Sequence, residues 1–123
     1  MLALIGGTGL NTLEGIGGFD LLHKEEIATP FADTQIQLSR YVYAGTELLF
    51  IPRHGDGHVV PPHRINYRGN IDALRLAGAT RVVAMNAIGG IAHELCPGAI
   101  AIPEQLIDYS YGRISSFYED NLE

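Results

Sequence analysis

The stretch LALIGGTG, residues 2–9, decides the fold class, because a short apolar run enters a glycine-rich turn directly. A run this short, bounded by glycines, indicates a buried strand rather than a helix. The pattern occurs again where residues 80–85 enter the turn Asn86-Ala87-Ile88-Gly89-Gly90. Between the two, residues 66–76 predict a helix with Ile71, Leu74 and Ala77 on one face and Gly78 just after its end. Strands that end in glycine turns and alternate with a helix indicate an α/β fold.

The rest of the chain predicts a hairpin and two short strands. Imperfect alternation over residues 36–43 and an apolar run at 47–51 flank a glycine turn, which indicates two antiparallel strands. We expect brief strands near 25–28 and at 99–102, and loop without regular structure from Pro52 to Pro62. Since no helical pattern follows residue 76, one face of the sheet lacks a cover, and residues 1–123 are expected to form a single, incomplete domain.

Composition and charge exclude several classes of protein. The 123 residues are 46% hydrophobic and 18% charged, which is typical of a globular chain. A net charge of −6 argues against a nucleic-acid partner, which would require a basic surface. The lone Cys96 cannot form an intrachain disulfide, so we expect an incidental thiol and a reducing, cytoplasmic location. No run approaches the ~20 apolar residues of a membrane span, and the N-terminus is unlike a signal peptide.

Positive charge is concentrated in the middle of the chain, where five of the eight lysines and arginines lie between positions 53 and 81. Arg75 and Arg81 are interpreted as solvated surface residues. Arg53 and His54 differ, because they follow an apolar strand directly and so occupy its carboxyl end, where ligands of open α/β sheets bind. Arginine can bind phosphate through two hydrogen bonds, and histidine can donate or transfer a proton. This pair is a candidate anion site.

Two other turns suit an anion, but each also has an ordinary interpretation. Backbone N–H groups at residues 6–9 and the Thr8 hydroxyl could hold a phosphate, or could simply form a tight turn. This turn lacks the third glycine of a dinucleotide fingerprint and the Gly-Lys-Ser/Thr of a Walker loop. The turn at Asn86 could likewise contact a polar ligand or none.

A metal site is the alternative for the middle segment. His54, Asp56 and His58 alternate as ligands do in some metallohydrolases. Alternate residues project to one side only in a strand, and the two intervening glycines disfavour one. We therefore expect no metal.

In combination, four segments carry a resemblance: IGGTGL at 5–10, RHGDGHVVPPHRINYRGNIDAL at 53–74, MNAIGG at 85–90 and PGAIAIPEQLIDYSYGR at 97–113. Together they resemble the methylthioadenosine/purine nucleoside phosphorylase family, in particular its bacterial S-methyl-5′-thioinosine phosphorylase branch. The resemblance implies an α/β fold with a mixed central sheet and flanking helices. It also implies a pentosyltransferase in which phosphate attacks C1′ of a purine nucleoside and releases purine and 5-methylthioribose 1-phosphate. Inorganic phosphate is then a co-substrate, and no metal or organic cofactor is expected.

The resemblance also implies roles for individual residues. Phosphate binding falls to Thr8, Arg53, His54, Asn86 and Ala87, with substrate contacts at His58, Ile88 and Gly89. No catalytic residue is assigned. The methylthioadenosine branch usually has Thr-Thr-Ala where this chain has Met85-Asn86-Ala87, and an asparagine there resembles phosphorylases of 6-oxopurines. That difference favours methylthioinosine over methylthioadenosine.

Family members are longer than this chain, so the resemblance implies that residues 1–123 correspond to an N-terminal half. The residues that recognise the purine would belong to the other half. For the complete protein it implies a cytoplasmic homotrimer in purine salvage, binding a purine nucleoside and phosphate and neither nucleic acid nor membrane. Two alternatives stay open: an inactive truncated chain, and the metallohydrolase.

Overall fold

The computed structural model describes residues 1–118, which form one mixed sheet with an α-helix packed against it. The strands are β1 (Leu2–Gly6), β2 (Phe19–Ile27), β3 (Ile36–Tyr43), β4 (Thr46–Pro52) and β5 (Arg81–Ala84), and the helix is α1 (Tyr67–Leu76). The strand order is β2-β3-β4-β1-β5. β1 runs parallel to both β4 and β5, whereas β3 is antiparallel to β2 and β4. The predicted α/β class with a mixed central sheet is confirmed.

β4 lies at the centre of the packing and is buried on both faces. Successive side chains of a strand point to opposite faces, so Leu49 and Ile51 pack with Leu74 of α1, while Leu48 and Phe50 pack on the other side with Leu13. Burial on both faces explains why residues 48–51 are continuously apolar rather than alternating. Packing on both faces holds β4 in place, so the residues that follow its carboxyl end start from a fixed position.

The predicted hairpin and helix are present. Tyr43 pairs with Thr46, and Ala44 and Gly45 form the two-residue turn with φ values of +48° and +76°. α1 begins after Asn66, whose side chain accepts a hydrogen bond from the Gly69 N–H at 2.8 Å. Such an N-cap satisfies one of the backbone donors that a helix leaves unpaired. Gly78 follows the helix with φ +95°, as expected of a residue that ends one.

Three predictions about elements are wrong, and a fourth is right in place but too short. The strand near residues 25–28 is the end of β2, which is nine residues long. Its full length is hard to recognise in the sequence, because the charged residues of this edge strand face water and a bulge between Leu21 and His23 shifts the alternation. Residues 99–102 form no strand, since no neighbour within residues 1–118 pairs with them, and Ile100 and Ile102 are 88% and 94% exposed.

The other two corrections concern the helix face and the loop before it. Ile71 is 41% exposed, because the buried face of α1 consists of Ala73, Leu74 and their neighbours instead. The segment from Pro52 to Pro62 contains a short 3₁₀ turn at Asp56–His58, made possible by positive φ at Gly57. No helix within the described residues is long and apolar enough to cross a membrane.

Candidate functional site

The sheet topology brings the three glycine-containing turns to one edge. β4, β1 and β5 are adjacent and parallel, so their carboxyl ends lie side by side. The Arg53 N–H donates to the Gly6 carbonyl at 3.0 Å, and the Met85 N–H donates to the Ile5 carbonyl at 2.9 Å. The segments after all three strands therefore leave the sheet from neighbouring points, at the edge where open α/β sheets bind ligands.

Arg53 links the three turns through its side chain. Its Nη1 donates to the Met85 carbonyl at 2.7 Å, across the width of β1. The guanidinium lies against Gly7, where a Cβ atom would overlap it. Because one end of the planar group is anchored and one face is covered, the cation is held at this edge with other N–H donors left for an anion.

His54 is 5% exposed and lies in the same loop. Its Nδ1 is 2.8 Å from the Val60 carbonyl oxygen, and since a carbonyl only accepts, His54 donates from Nδ1. Nε2 is thereby the nitrogen that carries the lone pair in the neutral ring and takes up the proton in the imidazolium. The ring is fixed before any ligand binds.

His58 connects this loop to the turn after β1. Its ring lies 4.4 Å from that of His54, and its Nδ1 is 3.0 Å from the side-chain oxygen of Asn11. His58 has a φ of +58°, a left-handed conformation that is costly for a residue with a Cβ atom. In this conformation the loop places the two imidazole rings next to each other at the sheet edge, with their planes tilted by 40°.

The other predicted residues lie on this side of the sheet but are more exposed. Thr8 is exposed in a turn that the Leu10 N–H closes by donating to the Gly7 carbonyl at 2.8 Å. Asn86 and Ala87 come directly after β5 and are also exposed. Ile88 is 71% exposed, and among residues 1–118 no hydrogen bond joins it or Gly89 to the other two turns. The structure thus joins His54 to His58 by a ring contact and Arg53 to Gly7 and Met85, and leaves the other predicted residues open.

The metal-binding alternative is not favoured. Within the part of the chain that the structure describes, no group of three or more His, Cys, Asp or Glu side chains could hold an ion. Nδ1 of both His54 and His58 is already hydrogen-bonded to an oxygen of the protein. Cys96 is free and exposed.

Sequence reasoning missed three participants, Asn11 and the carbonyls of Val60 and Met85, and it identified Gly7 only as part of the glycine-rich turn and not as a contact of Arg53. The two carbonyls belong to the backbone, which carries no residue-type signal. Asn11 follows the first glycine turn closely, but its partner lies 47 positions away in the sequence. Only the parallel order of β4 and β1 could have pointed to that contact.

Residues 2–121 match the family described as the phosphorylase superfamily. The chain is 44% identical over 119 residues to a probable S-methyl-5′-thioinosine phosphorylase of Xanthomonas campestris, covering 97% of this chain and 46% of that protein. It is 39% identical over 122 residues to an S-methyl-5′-thioadenosine phosphorylase of Rhodospirillum rubrum, covering 99% of this chain and 40% of that protein.

The fold agrees with these relatives. A methylthioadenosine phosphorylase of Schistosoma mansoni, solved in complex with adenine, superposes with a TM-score of 0.86 at 31% identity. The match covers 98% of this chain and 41% of that structure. The chain spans about half the length of the curated relatives it matches. Sequence and fold agree over nearly all of its residues, and the chain belongs to the phosphorylase superfamily.

Proposed function

We propose that this protein is a pentosyltransferase that cleaves a purine 5′-methylthionucleoside with inorganic phosphate. The products are free purine and 5-methylthioribose 1-phosphate. The names of its relatives support the reaction, and both methylthioinosine and methylthioadenosine phosphorylases are among them. Because the chain spans about half the length of those relatives, its own contribution is the phosphate-binding edge of the sheet.

The observation that carries the proposal is the fixed position of Arg53. Phosphorolysis passes through a sugar with positive charge at C1′, and the protein's task is to hold the attacking phosphate still and in line. A guanidinium already anchored on the Met85 carbonyl loses little further freedom when it binds the anion. The phosphate oxygen then forms the new bond to C1′ as the bond to the purine nitrogen breaks, and the purine leaves with the electron pair.

Around Arg53, the proposal gives the neighbouring residues supporting roles. His54 presents Nε2 to a protonated oxygen of the phosphate, because Nδ1 donates to the Val60 carbonyl and leaves Nε2 as the acceptor of the neutral ring. The Thr8 hydroxyl and the amide of Asn86 provide neutral donors from the turns after β1 and β5, together with the backbone at Ala87. His58, Ile88 and Gly89 lie toward the nucleoside. Apart from the buried His54, these residues are exposed, as an incoming ligand requires.

Methylthioinosine is the preferred substrate in this proposal, and methylthioadenosine is the second candidate. By the resemblance, Asn86 occupies a position where the methylthioadenosine branch usually has threonine. The more similar of the two relatives described above is a probable methylthioinosine phosphorylase. Inorganic phosphate is the co-substrate, with no organic cofactor or metal required by the chemistry. We further propose a cytoplasmic homotrimer for the whole protein.

Titration of the chain with inorganic phosphate, followed by calorimetry, tests the phosphate site. Arg53→Ala removes charge-assisted hydrogen bonds and is expected to raise the Kd for phosphate by about 10- to 100-fold. Arg81→Ala is the matched control, because it removes the same charge at the opposite end of the parallel strands, where Arg81 pairs with Leu2. The control should bind phosphate like the parent.

Equal losses in the two variants would show that only net charge matters and would contradict the assignment. Phosphorolysis is then assayed in the whole protein by release of hypoxanthine or adenine from the two nucleosides. Phosphate-dependent release that Arg53→Ala lowers supports the reaction. Release without phosphate would instead indicate a hydrolase.

A further inference from the structure

We infer that Gly7 is a positioning residue for the phosphate site, acting through the Arg53 side chain. The inference rests on the proposed function and goes further, because it assigns a role to a residue that need not contact the substrate. Gly7 is buried in the turn after β1, and the Arg53 guanidinium occupies the space that any side chain at position 7 would take.

The two neighbouring glycines of this turn serve different purposes. A Cβ atom at Gly6 would overlap the Leu10 carbonyl and the Phe50 ring, so this glycine is required by the fold itself. The three atoms nearest to a Cβ atom at Gly7 all belong to the Arg53 guanidinium, and the Cβ atom would overlap them. These atoms are the far end of a flexible side chain, which can move away while the backbone stays in place.

The direction of that movement matters for binding. Arg53 Nη1 is anchored at the Met85 carbonyl, and Gly7 supplies the flat surface that completes the seat of the guanidinium. A methyl group at position 7 must push the cation off this seat and away from the hydrogen bond. The positive charge is retained, but the N–H donors of the Arg53 guanidinium no longer point to the place where the three turns meet. A site that depends on preorganised donors loses affinity when they shift by about 1 Å.

Gly7→Ala is therefore expected to fold and to raise the Kd for inorganic phosphate by about tenfold, as loss of one charge-assisted hydrogen bond would. Gly17→Ala is the matched control, because Gly17 has nothing within 4 Å of its would-be Cβ atom and no positive φ. The control should fold and bind phosphate like the parent. Both variants are measured by calorimetry, with circular dichroism to compare their folding.

A double-mutant cycle separates positioning from a general structural role. If Gly7 acts through Arg53, then Gly7→Ala should leave phosphate binding of the Arg53→Ala variant unchanged, because no guanidinium remains to be displaced. A tenfold loss in both backgrounds would mean that Gly7 acts on the backbone of the turn, and would overturn the inference. So would a Gly7→Ala variant that binds phosphate like the parent.

The cycle also decides the case in which Gly7→Ala fails to fold. Removing the guanidinium removes the overlap, so Gly7→Ala combined with Arg53→Ala should regain the parent circular dichroism spectrum. Failure of the double variant to fold would overturn the inference. If the parent chain binds no phosphate, the proposed function and the inference both fall. If the parent chain binds phosphate and Arg53→Ala does not, while Gly7→Ala binds phosphate like the parent, the proposed function stands and only the inference about Gly7 falls.

Discussion

A buried hydrogen bond between Thr29 and Asp72 joins the loop after β2 to α1. The Thr29 hydroxyl donates to one carboxylate oxygen at 2.6 Å, and Arg75 donates to the other at 2.9 Å. The hydrogen bond from Thr29, with further help from Arg75, holds the pKa of Asp72 below its usual value of 3.8 despite the opposing effect of burial. The ionised carboxylate thus belongs to the folded state. Arg75, expected to be only a solvated residue, has a partner.

Thr29→Val is expected to lower the free energy of unfolding at pH 7 by about 1–3 kcal/mol, because it leaves a buried carboxylate oxygen without its donor. A lowered pKa gives stability that is present above the unfolded pKa and is lost as pH falls through the folded pKa. The difference between parent and variant should therefore shrink from pH 7 to pH 2. Urea unfolding at several pH values measures it, with exposed Thr46→Val as control. A difference that does not vary with pH would contradict the argument.

At the scale of elements, the β3–β4 turn offers a stabilising change. Both of its residues have positive φ, which is the signature of a type I′ hairpin turn. Gly45 suits this conformation, but the Cβ atom of Ala44 makes it unfavourable, and asparagine tolerates it better. Ala44→Asn is expected to raise the free energy of unfolding by about 0.5–1 kcal/mol. Urea unfolding measures the change.

Gly45→Ala is the companion variant and should have the opposite sign, because it places a Cβ atom at φ +76°. If both variants shift stability in the same direction, the turn is not held in this conformation in solution.

Elements with a strong local signal could be predicted, and those defined by distant partners could not. α1 has its cap at Asn66 and the hairpin has its turn glycine, so neither depends on remote contacts for recognition. β2 has charged residues on an exposed edge, so the sequence predicted only its last residues, and pairing with β3 reveals its full length. The site follows the same division: Arg53 and His54 could be placed from one strand end, whereas Gly7 and Asn11 gain their roles through contacts 46 and 47 positions away.

At the scale of the whole molecule, the chain exposes more surface than its size requires. Its accessible area is 9128 Å², whereas a folded chain of 13.3 kDa exposes about 6,400 Å². Much of the excess lies after β5, where large apolar side chains such as Ile91 (99% exposed) face water. β5 itself pairs only with β1 among the described residues, and all four of its residues are exposed. Two regions of very different packing thus share one chain.

Hydrogen exchange should reveal this difference directly. Amides of β1, β3 and β4 are expected to exchange slowest, because opening them breaks the two apolar clusters around β4. Amides at 86–118 should exchange fastest, and β5 should lie between, since one of its sides is bonded to β1. Mass spectrometry of the chain at low concentration measures the exchange rates of these three groups of amides. Protection at 86–118 equal to that of β4 would contradict the packing described here. Protection that appears only at high concentration would show that these apolar residues are covered by a second copy.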